Sequence, residues 1–236
     1  MTAGLACEPL VLSANLGRQH ACIQFLKDAE RRYIAANQRL AEFFGASSVG
    51  DVIGRRTTDF FDTGIVNRYD ALDRAVTTGQ TLIDRFDFTY DHTGLRHWYL
   101  YARTQTWRNG EPVIRGVSFR LPKRPAADRI YARLAAATDC IADNLADPPA
   151  IESLASTTRC SVAQLERDFR SVLSQSPKQY RARLRVQRAM DALRAGWPII
   201  DAALEAGYSE HSALSRAFKA FTGLTPAQFR ATLPEN

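Results

Sequence analysis

Apolar positions change their period near residue 121 of this chain. Upstream they alternate with polar ones in short runs broken by glycine-rich turns, the rhythm of half-buried strands. Cys22–Asp28 and Tyr33–Asn37 read as two strands around the polar turn Ala29–Arg31. Thr81–Tyr90, Leu95–Trp107 and Pro112–Arg120 read as an antiparallel meander joined by the turns D-H-T-G and R-N-G-E. Between the two groups, Gln38–Gly45 and Asn67–Gly79 carry helical spacing and stop on glycine. Downstream, Ala, Leu and Arg recur at helical spacing over Asp128–Asp147, Ile151–Thr157, Ser161–Leu173, Ser176–Gly196, Pro198–Gly207, Ser209–Gly223 and Thr225–Leu233. Ser161 and Ser176 are expected N-caps, Pro177 suits a first helical turn, and Gly196 suits a stop. The pattern gives an N-terminal segment 1–20 and an α+β domain over 21–120, an antiparallel sheet with helices. A proline-rich linker over 121–127 and an all-α domain over 128–234 follow. Each half is long enough to bury a core of its own.

The helical half repeats itself. I-E-S-L-A-S-T, a tight turn and V-A-Q-L-E-R-D-F-R-S-V-L are matched by I-I-D-A-A-L-E-A, a turn and H-S-A-L-S-R-A-F-K-A-F-T-G. L-E-R-D-F (Leu165–Phe169) aligns with L-S-R-A-F (Leu214–Phe218), and each copy is trailed by a Ser-Pro or Thr-Pro helix start. A short bracing helix, a turn and a second helix are the parts of a helix-turn-helix unit, whose second helix fits a duplex major groove. Leu165 with Phe169, and Leu214 with Phe218, fall on one helical face and are expected in the core. The opposite faces are then open to a partner.

Charge sharpens this picture. The chain carries a net +6, and residues 159–194 alone hold nine Lys/Arg against three Asp/Glu. Such a concentration is either a solvated helix face or the footprint of a polyanion site. The four cysteines, Cys7, Cys22, Cys140 and Cys160, form no C-x-x-C pair and match no zinc spacing, which fits a reducing compartment. No basic signal-peptide start and no apolar run of membrane length is present, so a soluble cytoplasmic protein is expected. G-x-S-x-G, H-E-x-x-H, P-loop and G-x-G-x-x-G elements are all missing, and catalysis is not expected.

Two resemblances follow from the quoted residues. F-L-K-D-A-E-R-R-Y-I-A-A-N, F-F-G-A-S-S-V-G-D-V-I-G-R, the later helix, the W-Y strand and I-R-G-V-S-F resemble a PAS domain. Leu165 to Arg230, with A-x-x-x-G-Y-S and S-R-x-F-K-x-x-x-G-x-T-P-x-x-F-R nearly complete in the second unit, resembles the AraC-type DNA-binding domain. Ser174 stands where that family usually has glycine. The second resemblance implies base contacts from Ala163, Glu166, Arg167 and Arg170 in one reading helix and His211, Ser212, Ala213 and Arg216 in the other. Phosphate contacts are implied for Ser161, Arg181, Arg185 and Thr225. It also implies double-stranded DNA as partner, contact with RNA polymerase, and an activating role. The long helix between the units, about 28 Å, should set the readers one DNA turn apart.

The PAS likeness implies a sensory or dimerising module, with a homodimer through it as one use. Phe25, Tyr33, Phe43, Phe86, Phe88, Trp98 and Tyr101 are candidates to line a pocket for a small organic effector, or else simply core. No cofactor is expected. The thiol motif of flavin photosensors is missing, and His20, His92 and His97 read as surface or core histidines rather than haem ligands. The alternative is a regulator acting mainly by protein–protein contact, its PAS-like domain a dimerisation module without ligand.

Overall fold

The computed structural model describes residues 22–61, 63–123 and 125–233. The expected segment 1–20, with Cys7 and His20, lies outside them. The first half is one five-stranded antiparallel sheet in the order β2-β1-β5-β4-β3. Its strands are β1 (Cys22–Lys27), β2 (Tyr33–Ala36), β3 (Leu82–Tyr90), β4 (Arg96–Arg108) and β5 (Glu111–Arg120). Two helices, α1 (Gln38–Phe44) and α2 (Thr63–Thr77), follow β2 and pack on one face. The second begins earlier than its expected start at Asn67. Asn37 caps α1 by accepting from the Leu40 amide, and it ties the helix to β1 by donating to the Cys22 carbonyl at 2.7 Å. Asn109 and Gly110 both take positive φ (53° and 83°), the geometry a two-residue hairpin turn requires, and close β4 onto β5. Gly116 is dictated by packing. A Cβ there would meet the Phe25 ring at 2.0 Å.

The second half is helical: α3 (Ala127–Asp143), α4 (Ile151–Thr157), α5 (Val162–Leu173), α6 (Pro177–Arg194), α7 (Ile199–Glu205), α8 (His211–Thr222) and α9 (Pro226–Ala231). Helix α3 stops at Asn144, short of the expected Asp147. Ser161, Ser176 and Thr225 each cap the following helix by accepting an amide hydrogen. None of the described helices is long and apolar enough to cross a membrane.

The two halves share one buried cluster, besides clusters that each buries on its own. Phe86, Trp98, Leu100 and Phe119, on the sheet face away from α1 and α2, share one buried cluster with Tyr131, Leu134 and Ile141 of α3. The cluster runs on into Leu165 and Phe169 of α5 and Tyr180 of α6. A second cluster gathers α6 to α9 around Leu193, Leu214, Phe218 and Phe229, and two more, around Phe25 and Leu40 and around Val76 and Ile114, lie between the other sheet face and its helices. Polar contacts reinforce the shared core. Asp84 of β3 pairs with Arg183 of α6, and its carbonyl accepts from the Tyr180 hydroxyl at 3.3 Å. The Thr81 amide and hydroxyl both donate to Asp191 of α6, at 2.8 and 2.9 Å. Arg85 of β3 meets Asp139 of α3 at 2.7 Å.

The expected linker is therefore not a loose tether. Leu121 is buried and its amide donates to the Trp98 carbonyl at 2.8 Å. Tyr131 donates to the Pro122 carbonyl, and the Trp98 indole donates to Asp128. The proline-rich stretch lies between the end of β5 at Arg120 and the start of α3 at Ala127. It carried no information on whether the elements either side would pack together.

Candidate nucleic-acid interface

Each helix-turn-helix unit is built around a turn held in the left-handed region. In the second unit the turn residue is Gly207 (φ 77°), and a Cβ there would stand 2.7 Å from the Leu145 carbonyl oxygen. In the first it is Arg159 (φ 54°). The hydrogen bonds match: Arg159 and Cys160 donate to Ser156 and Ala155, as Gly207 and Tyr208 donate to Leu204 and Ala203. The apolar faces are seated as expected, with Leu165, Phe169, Leu214 and Phe218 fully buried. Geometry of this kind fixes which residues face outward.

On α5, Ala163, Arg167 and Arg170 are exposed and Glu166 is half-buried. Glu166 pairs with Arg170 one turn on, at 3.2 Å. Arg167 donates to Gln164 Oε1 at 2.6 Å, Gln164 donates to Asp168 at 2.7 Å, and the buried Asp168 pairs with Arg133 of α3. On α8, His211, Ser212 and Arg216 are exposed and Ala213 is half-buried. Ser212 donates to Glu210 at 3.0 Å, while Arg216 makes no hydrogen bond or ion pair among the described residues. The two arginines thus occupy equivalent outward positions, one held and one unheld.

The phosphate candidates divide. The Ser161 and Thr225 oxygens accept the cap hydrogen bonds, leaving the O–H of each to donate outward. Arg181 is half-buried. Arg185 is otherwise engaged: its Nε donates to the Ala206 carbonyl at 2.7 Å and its guanidinium stacks 4.1 Å from the Tyr208 ring. It braces the second unit's turn. Lys219, exposed in α8 at the place of Arg170, escaped the sequence reading although the aligned repeat offered it.

The pocket candidates also divide, by strand parity. Phe25, Tyr33, Phe43 and Tyr101 line a cavity of about 50 Å³ between the sheet and its helices. Phe86, Phe88 and Trp98 do not; they point through the opposite face into or against the core shared with α3. Phe88 faces Trp98 and Phe86 faces Leu100 across the β3–β4 ladder. Their neighbours Asp87, Thr89, Tyr99 and Arg103 turn into the cavity instead. Behind it, Lys27 is buried against Asp73 (2.6 Å) and Thr57 (2.8 Å), and Arg103 joins the same carboxylate. Burial pulls Lys27 down to about 8 against the pull of Asp73. Burial also lifts Asp87 to about 6 although Arg68 lies 2.8 Å away. His97 is buried beside Asp91 at 2.9 Å, as a satisfied core histidine is.

Comparison with known proteins agrees with this architecture. Residues 154–232 match the family model of a helix-turn-helix domain, and residues 18–120 match that of a PAS fold. The HTH-type transcriptional regulator ArgR of Pseudomonas aeruginosa is 30% identical over 112 residues, 47% of this chain and 34% of its own. An AraC-like transcription regulator of Streptomyces lividans is 33% identical over 98 residues, 41% of this chain and 32% of its own. The matches thus span about a third of the length of these relatives. A solved AraC-type regulator from Chromobacterium violaceum is 28% identical and covers 42% of this chain and 90% of that one, with a TM-score of 0.41. Residues 18–120 are thus similar to the PAS fold, and residues 154–232 to a helix-turn-helix domain of the kind carried by AraC-like transcription regulators.

Proposed function

We propose that this protein is a sequence-specific DNA-binding transcription regulator that grips duplex DNA with two helix-turn-helix units. One observation carries the reading: Arg167 and Arg216 project from equivalent outward faces of α5 and α8, and α6 joins the two units. The eighteen residues of α6 extend about 27 Å. That length suits two readers placed in successive major grooves about 34 Å apart. A guanidinium reads guanine through its N7 and O6 acceptors, whereas the cap hydroxyls and Arg181 suit phosphate. Selection from randomised duplexes at moderate salt tests this. A defined motif should emerge, with affinity falling steeply as salt rises. Recovery of unbiased sequence contradicts it.

Control enters through the PAS domain in this reading, because the sheet shares buried side chains with the helices that carry the readers. A strain in β3 is felt directly by α3 and α6. The cavity beneath the sheet, at about 50 Å³, has room for a few waters, and a ring-sized organic effector enters only if the surrounding aromatics move. The sheet face covered by α3 is closed to a second copy, so a homodimer through this domain uses another surface. Activation through contact with RNA polymerase is the outcome the AraC-like kinship favours. Thermal shift against a metabolite panel separates an effector-bound sensor from a purely structural or dimerising PAS domain.

A further inference from the structure

The two reading helices differ in one respect that nothing in their shared motif requires. Arg167 is held through a chain of side chains: Gln164 accepts from it at 2.6 Å and donates to Asp168 at 2.7 Å, and Asp168 pairs with Arg133. Asp168 is 4% and Arg133 11% exposed at the side chain, so the far end of the chain is largely covered by protein. The matching positions in the second unit are Ala213 and Ala217, and Arg216 has no hydrogen bond or ion pair among the described residues.

We propose that Arg133 is a positioning residue for base choice: through Asp168 and Gln164 it fixes the direction in which Arg167 meets the groove. The first unit is thereby a preorganised reader, and the second keeps a guanidinium free to choose between a base and a phosphate. The physical basis is that a side chain held in its reading geometry loses less freedom on binding and tolerates fewer alternative contacts. The same α3 carries Asp139, the partner of Arg85 in β3. The helix that docks the sheet therefore also sets the reader. This inference rests on the DNA-binding reading above.

The test is sequence selection from randomised duplexes with the full-length parent, Arg167→Ala, Gln164→Ala and Arg133→Gln, each with its thermal midpoint measured. Arg167→Ala is expected to relax one position of the motif. Arg133→Gln and Gln164→Ala should relax that same position, by about tenfold in preference, and leave the Arg216 position unchanged. Adding either to Arg167→Ala should cause no further relaxation there. Gln164→Ala removes the link without stranding a buried charge, so it stays informative if Arg133→Gln unfolds. The proposal is overturned if Arg167→Ala alone relaxes the position, or if no position depends on Arg167. A parent that selects no motif instead defeats the DNA-binding reading itself.

Discussion

Asp84 of β3 and Arg183 of α6 form an ion pair across the joint between the sheet and the helical half, with the carboxylate sealed from solvent. Asp84 sits at a bulge with φ 48°, a left-handed backbone that aspartate tolerates better than most residues. Burial lifts its carboxyl above the ordinary range although Arg183 pulls the other way. Arg183→Met strands that carboxylate, and a loss of about 3–5 kcal/mol is expected in urea unfolding near neutral pH. The loss should shrink under acid conditions, where Asp84 takes up a proton. A variant as stable as the parent at neutral pH shows the pair is incidental.

A shared core implies shared unfolding. Leu134 is fully buried among side chains from both halves. Leu134→Ala should cost about 2–5 kcal/mol. It should lower the melting of sheet and helices together, because the cluster it fills is lined from both. Calorimetry of the full chain should show one transition. Two well-separated transitions, with only the helical one moved by Leu134→Ala, contradict the shared core.

The helix ends of the two units make a matched pair. Ser174 closes α5 at φ 57° and Gly223 closes α8 at φ 76°, each donating its amide to the carbonyl four residues back. Glycine, which has no Cβ, adopts this backbone without the crowding that a side chain brings. Ser174→Gly is therefore expected to stabilise the chain by about 1 kcal/mol, and Gly223→Ala to destabilise it by a similar amount. Denaturant midpoints at constant slope measure both. A fall on Ser174→Gly means its hydroxyl contributes more than its backbone loses.

Asp87 supplies a pH signature. Its folded-state value is raised to about 6 by burial, against an ordinary value near 4. A group raised in this way favours the fold below its unfolded value, and that contribution is lost as pH climbs through the folded one. Stability should decline from about pH 4 to 6 on this account. Asp87→Asn should flatten that decline and add roughly 1–2 kcal/mol at pH 7. An unchanged pH profile in Asp87→Asn assigns the slope to other groups.

Much of this was readable from residue order because local rules and tertiary packing agree there. The strand alternation, the N-G hairpin, the Ser-Pro and Thr-Pro caps and the i,i+4 pairs Leu165/Phe169 and Leu214/Phe218 each specify their element independently. Outward placement of Arg167 and Arg216 then follows from helix geometry alone. Parity could also have separated Trp98 from Tyr101, three apart on β4, whereas placing Phe86 and Phe88 on the Trp98 side needed the β3–β4 register. What stayed hidden depends on contacts distant in sequence. Nothing local to Thr81, Asp84 or Arg85 announces partners on α3 and α6, and nothing in Arg185 announces that its guanidinium lies on Tyr208. The asymmetry between α5 and α8 was visible as Asp168 against Ala217. Its meaning required Arg133 to be seen beside it.

The central claim is that α5 and α8 read adjacent major grooves of one duplex, and footprinting on a selected site tests it most directly. The parent should protect two major-groove segments about 10 base pairs apart. Arg167→Ala should weaken discrimination in one segment and Arg216→Ala in the other, each by roughly 1–3 kcal/mol. Protection of a single segment, or loss from the same segment in both variants, contradicts the account.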